Sequence, residues 1–594
     1  MNRKNLVLAV LGWAALTLFC SLTVRAITRI DPAPMPEPDL AAWALERLDA
    51  ERLGQDPPDA PGAYDAEGPI VVTAWARGGI LERHVGGPDL VDTVTDAAAH
   101  FAEELHTDPD WQPGANPPVR FTVEVGLGEA IFLPAIPYLR ELSLVPRHEG
   151  IVVRAGDDMA ILSPEELLAY GAYDSGIPTP VPDLGLGAPV DALIGRLARD
   201  LGEEPDGVTA RRIRMGTIGP SEYPIDVEVT EESLRQASVE GAQFLLRHQH
   251  IDGSWTYVYD GSTGRDRPAG YNIPRHSGTT YFIAQVDRYV GMPEAREGAL
   301  KALRWIQRHR IGRCGDNPCV VDRGRVDVGS AALTVVAATE VLAKEDDPLA
   351  RRLAEGLTGF LRAQQRDDGE LMHEYDLAAQ APIDVQHMYY SGEAAFALLK
   401  AHEVLGDERD LEAAEKLMGH LTGAGWDFLG SRYYYGEEHW TCIAAGEARG
   451  RIDIPEATDF CRRWYEWNDQ LQYREGATPW PVAGAFGVGP VVVPRLTPVG
   501  SRTEAFVGTY LLMQHEGMET DGVRGVVERG LGQLLRWRWA PGPTHHFADP
   551  AAAQGGLPGS PVDLTSRNDF VQHAGSAWIR WADVLRQERE GTDE

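Results

Sequence analysis

Positive charge is what this chain has least of for its size. Against 89 Asp and Glu stand 55 Lys and Arg among 594 residues, a formal net charge of −34. So acidic a protein repels phosphates, which excludes nucleic acid as a partner on electrostatic grounds and admits an acidic polymer only at a local basic pocket. Cysteine is scarce too, with five in the chain. No His or second Cys pair lies beside Cys314 and Cys319 at zinc-site spacing, and the only inner-helix Cys is Cys442, close to His439, too few ligands for a site, so no metal and no cofactor is expected. A phosphate-cradling glycine loop, a metalloprotease helix and a Gly-x-Ser-x-Gly elbow are all missing from any strand-to-helix setting, which disfavours those enzyme classes. With 43% hydrophobic residues the chain is nevertheless rich enough to build sizeable cores.

A single apolar stretch has membrane character. Leu6 to Val24 follows Arg3 and Lys4 and precedes Arg25 and Arg29. At that length it can span a bilayer, so residues 1–30 read as a retained signal anchor, with cleavage near Val24-Arg25-Ala26 as the alternative. The body is then extracytoplasmic, tethered to the membrane through this helix, or secreted if cleaved. Disulfides are permitted there: Cys314 and Cys319 bracket a turn and can close a small loop, while Cys442 reads as a small core residue.

What the chain has in abundance is one repeated design. Six times, a polar or aromatic pair precedes small residues that open an apolar helix. The six are Arg275-His276-Ser277-Gly278, Val326-Asp327-Val328-Gly329, Tyr389-Tyr390-Ser391-Gly392, Glu438-His439-Trp440-Thr441, Ser501-Arg502-Thr503-Glu504 and Gln572-His573-Ala574-Gly575. Aligned on Gly278, Gly329, Gly392, Thr441, Thr503 and Gly575, they lie 51, 63, 49, 62 and 72 residues apart, which suits a helix pair plus loops. Helices as apolar as Ala331–Val336 and Ala394–Leu399 are buried all round, whereas the charged segments between them, such as Leu349–Gln364 and Asp410–Leu421, are amphipathic. Six inner and six outer helices predict an (α/α)6 toroid over residues 230–594. Its inner-helix N-termini would gather at one mouth, where free N–H groups favour polar ligands.

Ahead of the toroid the texture changes. Residues 31–68, rich in Pro and acidic residues, read as a linker containing a short helical stretch at Leu40–Arg52. Residues 69–203 mix strands such as Pro69–Trp75, Val119–Val125 and Gly150–Arg154 with helices, which predicts a small α+β domain. Residues 204–229 read as a connector. The fold class is therefore multidomain: an N-terminal membrane helix, a small α+β domain and a large all-α toroid. In order of elements, residues 69–203 resemble the AMMECR family, through Gly79-Ile80-Leu81-Glu82-Arg83-His84-Val85-Gly86, Asp108-Pro109, Glu149-Gly150-Ile151-Val152-Val153 and Ala160-Ile161-Leu162-Ser163-Pro164. The family's Arg-Gly-Cys is replaced here by Glu82, Arg83 and His84, so the resemblance implies a scaffold or binding module without the family's cysteine.

In the helical half, Gln249 with Gly253 and Trp255, and Gln365 with Gly369, resemble the Gln-x3-Gly-x-Trp turns of terpenoid-cyclase and prenyltransferase toroids, the second having Leu371 in place of Trp. Such a Gln can tie one helix end to the next helix while Gly makes the turn. The Asp-x-Asp-Asp acid of protonating cyclases is absent from this half. Tyr389-Tyr390-Ser391-Gly392-Glu393-Ala394 followed by Leu411–Lys416 resembles repeats of the six-hairpin glycosidase, lyase and epimerase superfamily. That resemblance implies a glycan or other small-molecule substrate at the toroid mouth.

Rings suit a sugar, whose C–H faces are apolar and whose hydroxyls need polar neighbours. Tyr271, Tyr389, Tyr390, Tyr433, Tyr434, Tyr435, Trp440 and Trp255 are the candidate platforms. Hydrolysis needs two carboxyls, for which Glu393 and Glu504 are the candidates, with Glu374, Glu437 and Glu438 in reserve. Elimination or epimerisation needs an acid and a base, for which His276, His439, His573 and Tyr390 are candidates beside the cations Arg275 and Arg502. Asp327 would join the substrate-binding set. Each of these residues also has a structural reading, as a cap, a barrel-mouth ion pair or wall packing. The function expected is thus an extracytoplasmic glycoside hydrolase or uronate lyase/epimerase. A non-catalytic glycan- or peptide-binding surface protein and a cyclase-like toroid acting on an isoprenoid are the alternatives.

Overall fold

The computed structural model describes residues 12–592 apart from 14, 17, 21, 24–25, 27–28, 133–136, 174–187, 220–226, 269, 424–438, 488–491 and 541–544. The N-terminal part is a six-stranded antiparallel sheet. Its strands are β1 (Ile70–Ala76), β2 (Gly79–Gly86), β3 (Arg120–Ile131), β4 (Glu149–Ala155), β5 (Asp158–Leu162) and β6 (Thr209–Ile218), ordered β2-β1-β3-β6-β4-β5. On one face, α1 (Pro38–Leu53) and α2 (Leu90–Glu104) bring Leu40, Trp43, Leu48, Val94 and Phe101 against Ile70, Val72, Val123 and Val125. Shorter helices α3 (Pro137–Ser143), α4 (Pro164–Ala169) and α5 (Val190–Asp200) lie around β4 and β5.

Two expected boundaries move. The helix α1 is packed onto the sheet, so residues 31–68 are more than a linker, and β6 lies inside the stretch read as a connector at 204–229. The strand was hard to read because its alternation is carried by arginines. Ile213, Met215 and Ile218 are buried, yet so is Arg212, whose guanidinium pairs with Glu149 at 2.9 Å.

The helical half closes on itself. Outer helices α6 (Glu231–Arg247), α8 (Pro293–His309), α10 (Pro348–Ala363), α12 (Glu408–Thr422), α14 (Pro455–Asp469) and α16 (Asp521–Trp537) alternate along the chain with six inner ones. These are α7 (Ile273–Val290), α9 (Val328–Lys344), α11 (Tyr390–Leu405), α13 (Trp440–Ala448), α15 (Thr497–His515) and α17 (Asn568–Thr592). Each inner helix packs on the next, and α17 packs back on α7, which completes an (α/α)6 ring. Gly278, Gly329, Gly392, Thr441, Thr503 and Gly575, on which the six repeats align, all fall in inner helices. Their small residues permit close approach: a Cβ on Gly329 would stand 2.4 Å from the Tyr390 ring and 2.7 Å from Glu393 Oε2.

The Gln turns do what their residues predict. Gln249 donates to Gly298 O at 2.9 Å and Gln365 to Ala413 O at 2.9 Å, each joining the end of one outer helix to the next. A third copy escaped the sequence pattern because an insertion separates its parts: Gln472 donates to Val526 O at 3.0 Å, with Gly484 in the glycine position.

Disulfides link Cys314 to Cys319 and Cys442 to Cys461. The second corrects the reading of Cys442 as an isolated core residue, since the partner on α14 faces it across an inner–outer helix pair. Much of the expected membrane segment lies outside the described residues, and no described helix is long and apolar enough to cross a membrane. Sheet domain and toroid share one continuous core, in which Trp480 Nε1 donates to Pro146 O and Arg147 Nη1 to Pro561 O.

Candidate active site

At the N-terminal ends of the inner helices lies a cavity of about 290 Å³ to which all six contribute. Arg275 comes from α7, Leu333 from α9, Tyr390 and Glu393 from α11, Trp440 from α13, Ser501 from α15, and Asp569, Gln572 and His573 from α17. Tyr389 and His439 stand at the residues just before α11 and α13. Such ends collect unpaired N–H groups and the positive ends of helix dipoles, so the cavity favours oxygen-rich ligands.

Two imidazoles meet there. The rings of His439 and His573 stand edge to face with centroids 5.1 Å apart, and Trp440 packs against both. Behind His573, the fully buried Glu504 places Oε2 3.0 Å from Nδ1. A carboxylate at that distance holds the proton on Nδ1 and leaves Nε2 as the ring's proton-accepting nitrogen. Tyr389 lies beside His439 with ring centroids 5.9 Å apart. Burial, with Asp327 and Glu393 nearby, pushes the Tyr390 phenol above its usual range, so it enters the cavity as a neutral hydroxyl.

One turn before His573 on α17 the wall is ionic. Asp569 Oδ2 accepts from Arg567 at 2.7 Å and from Arg275 at 3.0 Å. Burial alone would raise this carboxyl, but Arg567 and then Arg275 hold it below its ordinary value. Arg275 also lies over the Tyr257 ring. A carboxylate that fixes two guanidinium groups leaves their remaining N–H groups to bind hydroxyls or a carboxylate.

Several expected members are elsewhere. His276 is buried in the wall behind the cavity, with Nδ1 2.7 Å from the Tyr271 hydroxyl, Nε2 3.2 Å from Ala302 O, and its ring stacked on Trp305. Burial lowers its pKa to about 3, so it is a neutral structural residue. Tyr271 and Trp255 belong to the same packed wall, Trp255 donating to Thr280. Arg502 is directed away from the cavity, over the Phe486 ring. Asp327 caps α9 by accepting from Ser330 N–H at 2.7 Å, and Glu374 pairs with Arg325 and His387. Glu504 reaches the cavity only through His573, so it positions rather than reacts. Tyr433, Tyr434, Tyr435, Glu437 and Glu438 lie outside the described residues. Asp569, Arg567, Gln572 and Ser501 were missed. The sequence did hold a signal for the first two: Ser566-Arg567-Asn568-Asp569 is rich in residues that open helices, one turn before the repeat's Gln572-His573.

No family model matches the chain, the AMMECR-like segment included, and no curated protein is similar to it. Solved structures are similar over about three-fifths of it. A cellobiose 2-epimerase from Bacillus thermoamylovorans is 13% identical, covering 60% of this chain and 99% of its own, with a TM-score of 0.46. The cellobiose 2-epimerase from Spirochaeta thermophila is 15% identical over 60% and 96% of the two chains, with a TM-score of 0.45. An unsaturated glucuronyl hydrolase specific for heparin is 12% identical over 60% and 98%, with a TM-score of 0.43. Similarities of this size concern architecture and leave the chemistry to the residues.

Proposed function

We propose that the protein is a carbohydrate-active enzyme that moves a proton at a sugar carbon, as an epimerase or a uronate lyase does, with His439 and His573 as the acid–base pair. The observation that carries this is the Glu504–His573 pair, with His439 in edge-to-face contact beside it at the cavity wall. An imidazole whose Nδ1 is bound by a carboxylate is a base at Nε2. A second imidazole nearby can return a proton, and nearby cations stabilise the anion formed between the two transfers. Tyr389, Tyr390 and Trp440 supply ring faces for the sugar, and Arg275, Glu393 and Asp569 supply partners for its hydroxyls or carboxylate. This charged lining is unsuited to an isoprenoid. The sheet domain supports the toroid in this reading and takes no part in the reaction. Placement outside the cytoplasm, with the N-terminal segment as tether, agrees with the two disulfides.

Hydrolysis is the second reading, because Glu393 and Asp569 both line the cavity and one could donate a proton while the other stays ionised. The full chain incubated in heavy water with neutral and uronate oligosaccharides separates the two. Deuterium appearing at a sugar carbon, or an unsaturated product, and its loss in His439→Ala and His573→Ala is the expected result. Cleavage without carbon-bound deuterium, lost in Glu393→Gln and kept in His573→Ala, would establish hydrolysis instead. Sugar binding with neither product would leave a glycan-binding protein.

A further inference from the structure

A second constellation lies where the two domains meet, made of residues none of which lines the sugar cavity. Glu165, in α4 of the sheet domain, is buried against His545 and His546, which belong to the loop between α16 and α17. The Nε2 atoms of His545 and His546 lie 3.2 and 2.5 Å from the same Glu165 oxygen, and the ligand atoms of all three residues fall within 4.8 Å of one another. Neighbouring residues in extended chain point their side chains apart, but a turn here brings the two rings to a centroid distance of 3.9 Å. Trp75 of β1 closes the site with its ring against both imidazoles, at 5.3 and 5.1 Å.

Two imidazole edges and a carboxylate directed at one point in a dry interior are the donor set of a zinc-class ion. A tetrahedral ion about 2 Å from each donor needs them about 3.3 Å apart. His545 already stands at that separation, and His546 reaches it by a small opening. Beside the site, Glu124 accepts from Glu165 N–H at 3.1 Å. Its other oxygen, Oε2, is fully buried and has no hydrogen-bond partner among the described residues. We propose that Glu165, His545 and His546 bind a divalent transition metal of the zinc class that fastens the sheet domain to the toroid. The site is structural and separate from the proposed sugar chemistry.

The test uses the full chain, dialysed against a chelator and titrated with Zn2+, Co2+ and, as a hard-cation control, Mg2+. The expected result is about one Zn2+ bound per chain, a raised unfolding midpoint with Zn2+ and not with Mg2+, and visible absorption from bound Co2+. Glu165→Gln keeps a hydrogen-bond acceptor for either ring, so it preserves a site held by hydrogen bonds alone and weakens a metal site at least tenfold. His546→Ala should abolish the Co2+ spectrum. No Zn2+ stabilisation and no Co2+ spectrum in the unmutated chain would overturn the proposal, whatever the variants do. Metal binding that persists in a cooperatively folded Glu165→Gln and His546→Ala would overturn it too, by putting the ion elsewhere.

Discussion

His573 and His276 show how far the same residue type can diverge under different surroundings. Both stand in repeats of one design, yet one borders a cavity and the other is enclosed by Tyr271, Ala302 and Trp305. If His573 transfers a proton, His573→Ala should lower kcat by roughly 10²- to 10⁴-fold. Glu504→Gln keeps the shape but not the charge behind Nδ1, so it should reduce kcat far more than it changes KM, as steady-state kinetics would show. The buried imidazoles make a different prediction. His276 and His148 both have pKa values lowered to about 3, mainly by burial. In the unfolded chain a histidine takes up its proton near pH 6.5, so below that point the unfolded state gains protons that the folded state refuses. Stability should therefore fall as pH drops from about 6.5 towards 3, and urea midpoints for His276→Gln should show a shallower fall over that window. No residue count distinguishes these histidines in the sequence. The difference comes from the lead-ins to the two helices, the loop Gly270–Asn272 in one case and the strand-to-helix junction at Arg567–Asn568 in the other, whose courses no periodicity encodes.

Among the elements, the helices were far more legible than what joins them. A run such as Ala331–Val336 has no polar face to offer solvent, so its burial follows from composition. β6 was illegible because Arg212, a residue that ordinarily marks a surface, is held inside by Glu149. The Gln–Gly turn lies between these cases, readable where its parts are four residues apart and invisible where they are twelve. Gly253, Gly369 and Gly484 have φ of 99°, 92° and 95°, and a Cβ on each would stand within 2.4 Å of a backbone carbonyl oxygen on the next outer helix. Alanine at any of them should destabilise by more than about 1 kcal/mol, since both the backbone and its neighbour must shift. Gln472→Ala should cost about 1 kcal/mol by removing the donor that bridges Val526 O and Gly484 O and the acceptor for Arg529. Chemical denaturation of the four variants checks both figures.

For the whole molecule, the sequence describes two bodies and the structure describes one. Trp480, His545 and His546 carry few marks of an interface in the sequence, yet each is buried against the sheet domain. A fragment of residues 227–594 should therefore expose this apolar and imidazole surface, unfold at a lower temperature than the full chain and aggregate, which light scattering during a thermal ramp would reveal. Ring closure carries a consequence for how such a molecule comes into being. The helix that completes the circle, α17, is the last of the ring's twelve to leave the ribosome, and it carries His573, Asp569 and the surface on which α7 rests. Until it emerges, the nascent chain holds helical hairpins with an open flank at either end, and the earliest hairpin must wait for the latest. Birth of the cavity and closure of the ring are thus a single event, deferred until the twelfth helix of the ring is made.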